Sequence, residues 1–118
     1  MSTRILIVDN EPRWISFVIN ALETYDIVVA SDMMGALKEL EDDHFELVIA
    51  SSRCLDILEI IQERFSNKQV IVTTIHPTTQ EALDAFRKGA ARYFTKSFNT
   101  QEFLNHVNEV IVSPTGSG

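Results

Sequence analysis

Cysteine is nearly absent from this chain of 118 residues, and Cys54 alone cannot form an internal disulfide. A cytoplasmic location is the default for a chain with so little cysteine. Positive charge is also scarce, because 10 lysines and arginines stand against 17 aspartates and glutamates, for a net charge of −7. An acidic chain is repelled by phosphate backbones, which argues against nucleic-acid binding by this segment.

Long hydrophobic runs are also missing. No apolar run approaches the roughly 20 residues that span a bilayer, and no basic amphipathic stretch favours a membrane surface. The N-terminus, MSTRILIVDN, has too short an apolar run for a signal peptide and no cleavage site of small residues. We therefore expect no membrane association. The composition, 45% hydrophobic and 23% charged, is ordinary for one globular domain with a real core.

Short apolar runs alternate with stretches of helical periodicity. Apolar strands that read as buried along their whole length are typical of parallel sheets covered by helices on both faces. We therefore predict a single α/β domain over residues 1–112, a doubly wound flavodoxin-like (βα)5 fold with strand order 2-1-3-4-5. Residues 113–118 (SPTGSG) are predicted to be a flexible tail, the start of a linker or a cloning remnant. The five predicted strands are Arg4–Val8, Ile27–Ala30, Leu47–Ala50, Gln69–Thr74 and Arg92–Thr95.

Local signals indicate where the helices begin and end. Pro12 suits the first position of a helix that we predict over Pro12–Thr24. Ser31 or Asp32 can cap the second helix, and Gly89 is suited to end the fourth. Asn99 and Glu102 have the spacing of a capping box at the start of the fifth helix. The apolar positions of the fourth helix are Ala82, Ala85 and Phe86.

Sheets of this type bind ligands beyond the carboxyl ends of their strands. The residues that follow the first strand, Asp9–Glu11, are therefore candidates for a site. Ser51–Arg53 follow the third strand in the same way, Thr74–His76 lie at the end of the fourth, and Lys96 and Ser97 follow the fifth. We expect these side chains to meet at one edge of the sheet.

Two segments carry a resemblance to a known family. ILIVDNEP and VIVTTIHPTTQEALDAFRKGAARYFTKSFNTQEFL are similar to the receiver domain of bacterial two-component response regulators, and the similarity spans about Thr3–Val112. In that family two acidic residues after the first strand hold Mg²⁺, and an aspartate ending the third strand accepts a phosphoryl group. A hydroxyl and a lysine bind the phosphoryl oxygens. The resemblance places Asp9 and Asn10 at the metal positions, Ser51 at the phosphoacceptor position, Thr74 at the hydroxyl, Lys96 at the lysine and Tyr93 at the aromatic switch position.

The chain departs from the family at the chemistry itself. Ser51 cannot form an acyl phosphate, and a serine hydroxyl needs an activating base before it acts as a nucleophile. Asn10 supplies a neutral oxygen where Mg²⁺ prefers an anionic one, so we expect no cofactor, with Mg²⁺ at Asp9 and Asn10 weak if it binds at all. Without its acidic neighbour, Asp9 is expected to pair with Lys96.

Further departures surround the predicted site. Ile75 replaces the family's small residue after the hydroxyl and is expected to crowd access to it. Ser97 replaces a proline that is usually cis, and a cis bond before serine would cost about 3 kcal/mol. The loop after Ser51 is about three residues shorter than in the family. Glu11 is expected to point to solvent or to assist the first helix.

Together these departures describe a pseudo-receiver, and we expect a phosphorylation-independent interaction module in two-component or phosphorelay signalling rather than an enzyme. Partners would be a histidine kinase, a fused output domain or a second copy. A working receiver with unusual phosphorylation, at Ser51 or another acceptor, remains an alternative. A small-ligand sensor or a hydrolase using the altered pocket is another. The expected contact surface, on the fourth helix, fifth strand and fifth helix, carries Arg87, Lys88, Tyr93, Gln101 and Asn105.

Overall fold

Five strands alternate with five helices in the computed structural model, which describes residues 3–65 and 68–112. The predicted tail at 113–118 lies outside the described residues. A short 3₁₀ helix, Ser52–Cys54, precedes the third α-helix. The elements in chain order are β1 (Arg4–Val8), α1 (Pro12–Ala21), β2 (Asp26–Ala30), α2 (Met33–Asp42), β3 (Leu47–Ser51), α3 (Asp56–Arg64), β4 (Gln69–Thr74), α4 (Thr79–Arg87), β5 (Arg92–Thr95) and α5 (Thr100–Val112).

The strands form one parallel sheet in the order β2-β1-β3-β4-β5, which confirms the predicted flavodoxin-like architecture. The register pairs Val8 with Ala50 and Ser51 with Thr73. Asp9, Ser51 and Thr74 are therefore brought to the same carboxyl edge of the sheet. This register positions the candidate site, because the three residues come from strands that are neighbours in space and distant in sequence.

Alternate residues of the strands pack into two hydrophobic cores, one on each face of the sheet. Leu6 and Val8 pack with α2, α3 and α4 on one face of the sheet. Ile5 and Ile7 pack with α1 and α5 on the other face. Covering on both faces explains why β1 is apolar from Ile5 to Val8 rather than alternating with polar residues. No helix within the described residues is long and apolar enough to cross a membrane.

The predicted helix signals are present. The Asp32 carboxylate accepts the Gly35 N–H at 2.8 Å, and the Asn99 side-chain oxygen accepts the Glu102 N–H at 2.9 Å. Gly89 follows α4 with φ +106°, and a Cβ there would meet the flexible Gln62 side chain. Glycine is favoured at this position because the backbone is left-handed, a conformation that other residues adopt only with strain.

Two helical predictions are corrected. Helix α1 ends at Ala21 rather than at Thr24. The Phe86 ring is 52% exposed, although the sequence pattern grouped it with the apolar positions of α4. Ala85 takes the fully buried position on α4. The next residue is rotated about 100° around the helix, so Phe86 faces outward. Leu83, three residues before Phe86, is exposed as well.

Candidate functional site

A cleft of about 250 Å³ opens at the carboxyl edge of the sheet, where the loops after β1, β3, β4 and β5 converge. The predicted pocket residues Asp9, Asn10, Ser51, Thr74 and Lys96 all lie on its wall. Asp9, Ser51 and Thr74 are buried, whereas Asn10 is exposed at the rim. The lining residues are Asp9, Asn10, Glu11, Pro12, Ser51, Ser52, Arg53, Thr74, Ile75 and Lys96.

Asp9 is held by two interactions. Its Oδ1 accepts the N–H of Glu11 at 3.0 Å, and this hydrogen bond lies in the turn that leads into α1. Its Oδ2 lies 2.9 Å from the Lys96 Nζ, and the expected Asp9–Lys96 pair is therefore confirmed. That contact lacks hydrogen-bond alignment, so Oδ2 is attracted by the charge of Lys96 without receiving a well-directed proton.

Lys96 contacts a second carboxylate, and this corrects the expectation for Glu11. Lys96 Nζ donates to Glu11 Oε1 at 2.9 Å, so Glu11 turns into the cleft rather than toward solvent. The Lys96 side chain is only 6% exposed. Its ammonium also lies 5.9 Å from the centre of the Trp14 ring, within range of a cation–π attraction. One buried cation therefore links the β1–α1 loop to the loop after β5.

The hydroxyl groups of the cleft are engaged with one another and with the backbone. Ser51 Oγ accepts the N–H of Arg53 at 3.2 Å and so caps the 3₁₀ helix. Ser52 Oγ donates to Thr74 Oγ1 at 3.2 Å, and Thr74 Oγ1 also accepts the N–H of His76 at 3.1 Å. Within residues 3–65 and 68–112, the hydrogen bond recorded for the Ser51 side chain is the one from the Arg53 N–H. No titratable side chain is therefore a hydrogen-bond partner that could activate the Ser51 hydroxyl.

Ile75 lies on the cleft wall, and Cys54 lies in the 3₁₀ helix that follows Ser51. Ile75 is exposed, and the expectation that it crowds the hydroxyl stays a prediction. Burial, followed by the charge of Asp9 and nearby carboxylates, raises the pKa of the Cys54 thiol. Cys54 is therefore protonated and unreactive at neutral pH.

The donor set does not fit Mg²⁺. Magnesium needs octahedral oxygen ligands and is usually held by one or two carboxylates with waters. Here Asp9 Oδ1 is engaged by a backbone N–H and Oδ2 by an ammonium. Across residues 3–65 and 68–112, no group of three or more His, Cys, Asp or Glu side chains is placed to hold a metal ion.

Tyr93 connects β5 to the start of α4. Its hydroxyl donates to Glu81 Oε1 at 2.6 Å and accepts the N–H of Thr78 at 3.3 Å. Thr78 is the N-cap of α4, and its Oγ1 accepts the Glu81 N–H. The tyrosine therefore holds the first turn of α4 against the sheet at the aromatic position predicted for a switch.

We expect this tether to weaken at alkaline pH. Burial, reinforced by the hydrogen bond to Glu81, raises the pKa of Tyr93 above its ordinary value of about 10. A raised pKa means that the stabilising contribution is complete below about pH 10 and declines as the pH rises through the folded-state pKa. The difference in free energy of unfolding between the wild type and Tyr93→Phe, from urea titrations, should be constant at neutral pH and shrink in that range. A difference in free energy of unfolding that stays constant above pH 10 would contradict this role of the Tyr93 hydroxyl. Because the wild type and Tyr93→Phe contain the same lysines, the titration of those lysines cancels in the difference.

The residues predicted for a contact surface differ in their placement. Arg87 is exposed, and Gln101 donates to Asn105 along the outer side of α5 at 3.0 Å. The Lys88 ammonium instead lies 3.8 Å from both Asp56 and Glu59 of α3. Lys88 is therefore directed toward α3.

Of the further strand-end candidates, Ser52, Arg53 and Ile75 line the cleft, whereas His76 and Ser97 are not among its lining residues. Sequence reasoning assigned no role to Glu81 or Leu83. Glu81 partners Tyr93, and its position three residues after the N-cap was a usable signal. The exposure of Leu83 and Phe86 had no signal in the sequence pattern.

Comparison with known proteins identifies the family of this arrangement. The family model described as response regulator receiver domain matches residues 5–108. The nitrogen assimilation regulatory protein NtrX of Azorhizobium caulinodans is 30% identical over 113 residues, 88% of this chain and 25% of its own length. A putative NtrX-like response regulator of Rickettsia felis is 31% identical over 109 residues, 85% of this chain and 23% of its own length. This chain thus spans about a quarter of these curated relatives.

Solved structures give the same architecture. A CheY-like response regulator receiver domain protein from Methanospirillum hungatei superposes with a TM-score of 0.90 over all of both chains at 21% identity, which shows the fold. The beryllofluoride-activated NtrC4 receiver domain dimer has a TM-score of 0.80 at 26% identity and covers 90% of this chain and 93% of that one.

Proposed function

Since the chain belongs to the response regulator receiver domain family, we propose that it is a receiver module that has lost phosphorylation chemistry and acts by binding protein partners. The family match supports a role in two-component signalling. The absence of phosphorylation and of enzymatic activity is our proposal.

One observation carries this proposal: Ser51 stands where the family's acceptor carboxylate is expected, and the hydroxyl and ammonium groups around it already have partners within the chain. Ser51 Oγ caps a 3₁₀ helix, Thr74 Oγ1 serves two donors, and Lys96 is bound by two carboxylates. An incoming phosphoryl group would have to break these contacts and form a serine ester, and no carboxylate or imidazole is a hydrogen-bond partner of Ser51 within residues 3–65 and 68–112.

The contact surface of the proposed module is the output face, which we define as Leu83, Phe86, Arg87, Gln101 and Asn105 with the edge of Tyr93. Two exposed apolar side chains three residues apart on α4 form its centre. An apolar centre with arginine and amide groups around it is typical of a modest protein interface. Lys88 is left out because its charge is directed toward α3.

The first partner we propose for the output face is a second copy of the chain. The beryllofluoride-activated NtrC4 receiver domain, which is 26% identical, is a dimer. A histidine kinase and an output domain fused to the chain are the other partners, the latter because the relatives are about four times as long. Cytoplasmic action follows from a signalling role of this kind and is part of the proposal.

An amide NMR titration with beryllofluoride in the presence of Mg²⁺ tests the loss of phosphorylation chemistry. We expect no saturable shifts at Asp9, Thr74 and Lys96 in the wild type, because the acceptor oxygen is a serine hydroxyl that is already bonded. Ser51→Asp is the matched variant that restores the carboxylate. Saturable shifts in the wild type that extend to Tyr93 would contradict the proposal and favour a working receiver with unusual phosphorylation. A response of Ser51→Asp alone would show that the missing carboxylate was decisive and that Ile75 and Ser97 are tolerated.

Sedimentation of Phe86→Ser tests the output face. If a second copy binds there, the wild type associates with rising concentration without any phosphodonor, and the variant weakens association about tenfold or more, because a half-exposed phenylalanine at an interface centre contributes over 1 kcal/mol. Ile19→Ser on α1 removes an apolar side chain of similar exposure outside the face and should leave association unchanged. Equal association of Phe86→Ser and the wild type would rule out this face.

A further inference from the structure

Lys96 lies at the centre of the charges in the cleft. Its ammonium is 2.9 Å from Asp9 Oδ2 and 2.9 Å from Glu11 Oε1. The Trp14 ring lies on another side of this ammonium, with its centre 5.9 Å away. An ammonium is a compact charge with three donors, which suits a position between two carboxylates and an aromatic face.

The formal charges of the cleft balance without any bound ion. The lining contains the carboxylates Asp9 and Glu11 and the cations Lys96 and Arg53. Arg53 is exposed, whereas the Lys96 and Asp9 side chains are 6% and 2% exposed. Because Ser51 carries no charge, a single monovalent cation is sufficient to neutralise the buried carboxylate of Asp9.

We propose that Lys96 is the resident cation of this cleft, and that its ammonium holds the Asp9 oxygen that a divalent cation would require. A divalent cation entering the wild-type cleft would have to displace Lys96 from both carboxylates or sit beside a like charge. The inference rests on the proposed function and names the residue that makes the cleft independent of metal. With the cation built into the chain, the β1–α1 and β5–α5 loops remain linked whether or not metal is present.

The state of Asp9 Oδ2 also points to a latent cation site. This atom is buried and receives no aligned hydrogen bond, although it lines the cleft. Its only strong interaction recorded in the described residues is with the charge of Lys96. Removal of that charge leaves Asp9 Oδ2 and the Glu11 carboxylate as oxygen ligands, to which waters can add for a hard divalent ion.

The test is titration of Lys96→Met with Mg²⁺ and with Mn²⁺, followed by calorimetry and by paramagnetic broadening of amide signals. We expect no saturable binding to the wild type at millimolar metal. Lys96→Met should bind about tenfold more tightly or better, a conservative figure for removing a unit charge about 4 Å from a divalent ion. Broadening by Mn²⁺ should centre on Asp9 and Glu11. Wild-type binding as tight as that of Lys96→Met, or no binding by a folded Lys96→Met, would overturn the inference.

Matched variants separate this effect from a general loss of positive charge. Lys88→Met removes another lysine that lies between two carboxylates, Asp56 and Glu59, both largely exposed. It should gain no metal affinity, because no buried carboxylate is left without its cation. Asp9→Asn combined with Lys96→Met should lose the affinity that Lys96→Met gains. Tight binding by either control variant would overturn the assignment.

A measurement on the wild type keeps the inference testable if Lys96→Met does not fold. An ammonium held by two carboxylates exchanges its protons slowly, so the Lys96 side-chain signal should be visible in a ¹⁵N-resolved NMR spectrum and unchanged by Mg²⁺. Its loss on Mg²⁺ addition would overturn the inference. Neither metal titration contains a phosphoryl mimic, so a negative result there would contradict only the role of Lys96. The proposed function would be contradicted by beryllofluoride binding to the wild type.

Discussion

Replacement of Lys96 by methionine is expected to lower the free energy of unfolding by about 3 kcal/mol or more in buffer free of divalent cations. The reason is the burial of Asp9, whose side chain is 2% exposed and whose Oδ2 depends on the Lys96 ammonium for compensation. Removing one partner of a buried pair leaves the other charge desolvated, which costs more than the pair contributes. Glu11 also loses its partner, but it is partly exposed and solvent compensates it.

Urea titration followed by circular dichroism measures this loss. Lys88→Met is the matched control, because Lys88 lies between two exposed carboxylates and its removal should cost no more than about 0.5 kcal/mol. The double variant Asp9→Asn with Lys96→Met should be more stable than Lys96→Met alone, since the unpaired buried charge is gone. A loss for Lys96→Met no larger than for Lys88→Met would show that water enters the cleft and solvates Asp9.

Phe103→Ala is expected to destabilise the fold by about 3–5 kcal/mol. Phe103 is 1% exposed, and its ring lies 5.5 Å from those of Trp14 and Phe17 and 6.3 Å from that of Phe94. It therefore connects α1, β5 and α5 in one aromatic cluster. Truncation removes the buried ring and leaves a cavity that these rigid neighbours fill only in part.

Phe98→Ala is the matched control for this prediction. Phe98 contacts Trp14 and Phe17 at 5.6 and 5.3 Å, but it is 57% exposed. Its truncation should cost about 1 kcal/mol, the order of an aromatic pair without full burial. Circular dichroism should be used beside fluorescence, because the only tryptophan of the chain contacts both rings. Equal losses of unfolding free energy for Phe103→Ala and Phe98→Ala would contradict the argument that burial decides the cost of truncation in this cluster.

Much of the fold could be read from the sequence because its signals are local and mutually consistent. The apolar run Arg4–Val8 predicted a strand buried on both faces, and a sheet of such strands is parallel. Gly89 predicted a helix end, which the structure shows with a positive φ. The convergence of Asp9, Thr74 and Lys96 followed from the rule that parallel strands present their carboxyl ends at one edge.

The errors arose where the orientation of a side chain depends on neighbours from other elements. Glu11 looked like a solvent-exposed residue because its partner Lys96 is 85 residues away in sequence. Phe86 looked like a core residue because an apolar side chain was assigned inward without knowledge of which side of α4 meets the sheet. Lys88 was assigned to a surface shared with α5, yet α3 holds its nearest carboxylates.

By itself, the sequence determined the element order, the strand arrangement and the identity of the residues that meet at the cleft. Period and composition specify these features because each depends on residues close together along the chain. Only the tertiary structure decided that Lys96 is shared by Asp9 and Glu11 and that Leu83 and Phe86 face outward. Charge partners and exposure depend on the packing of distant segments, which the local pattern does not contain.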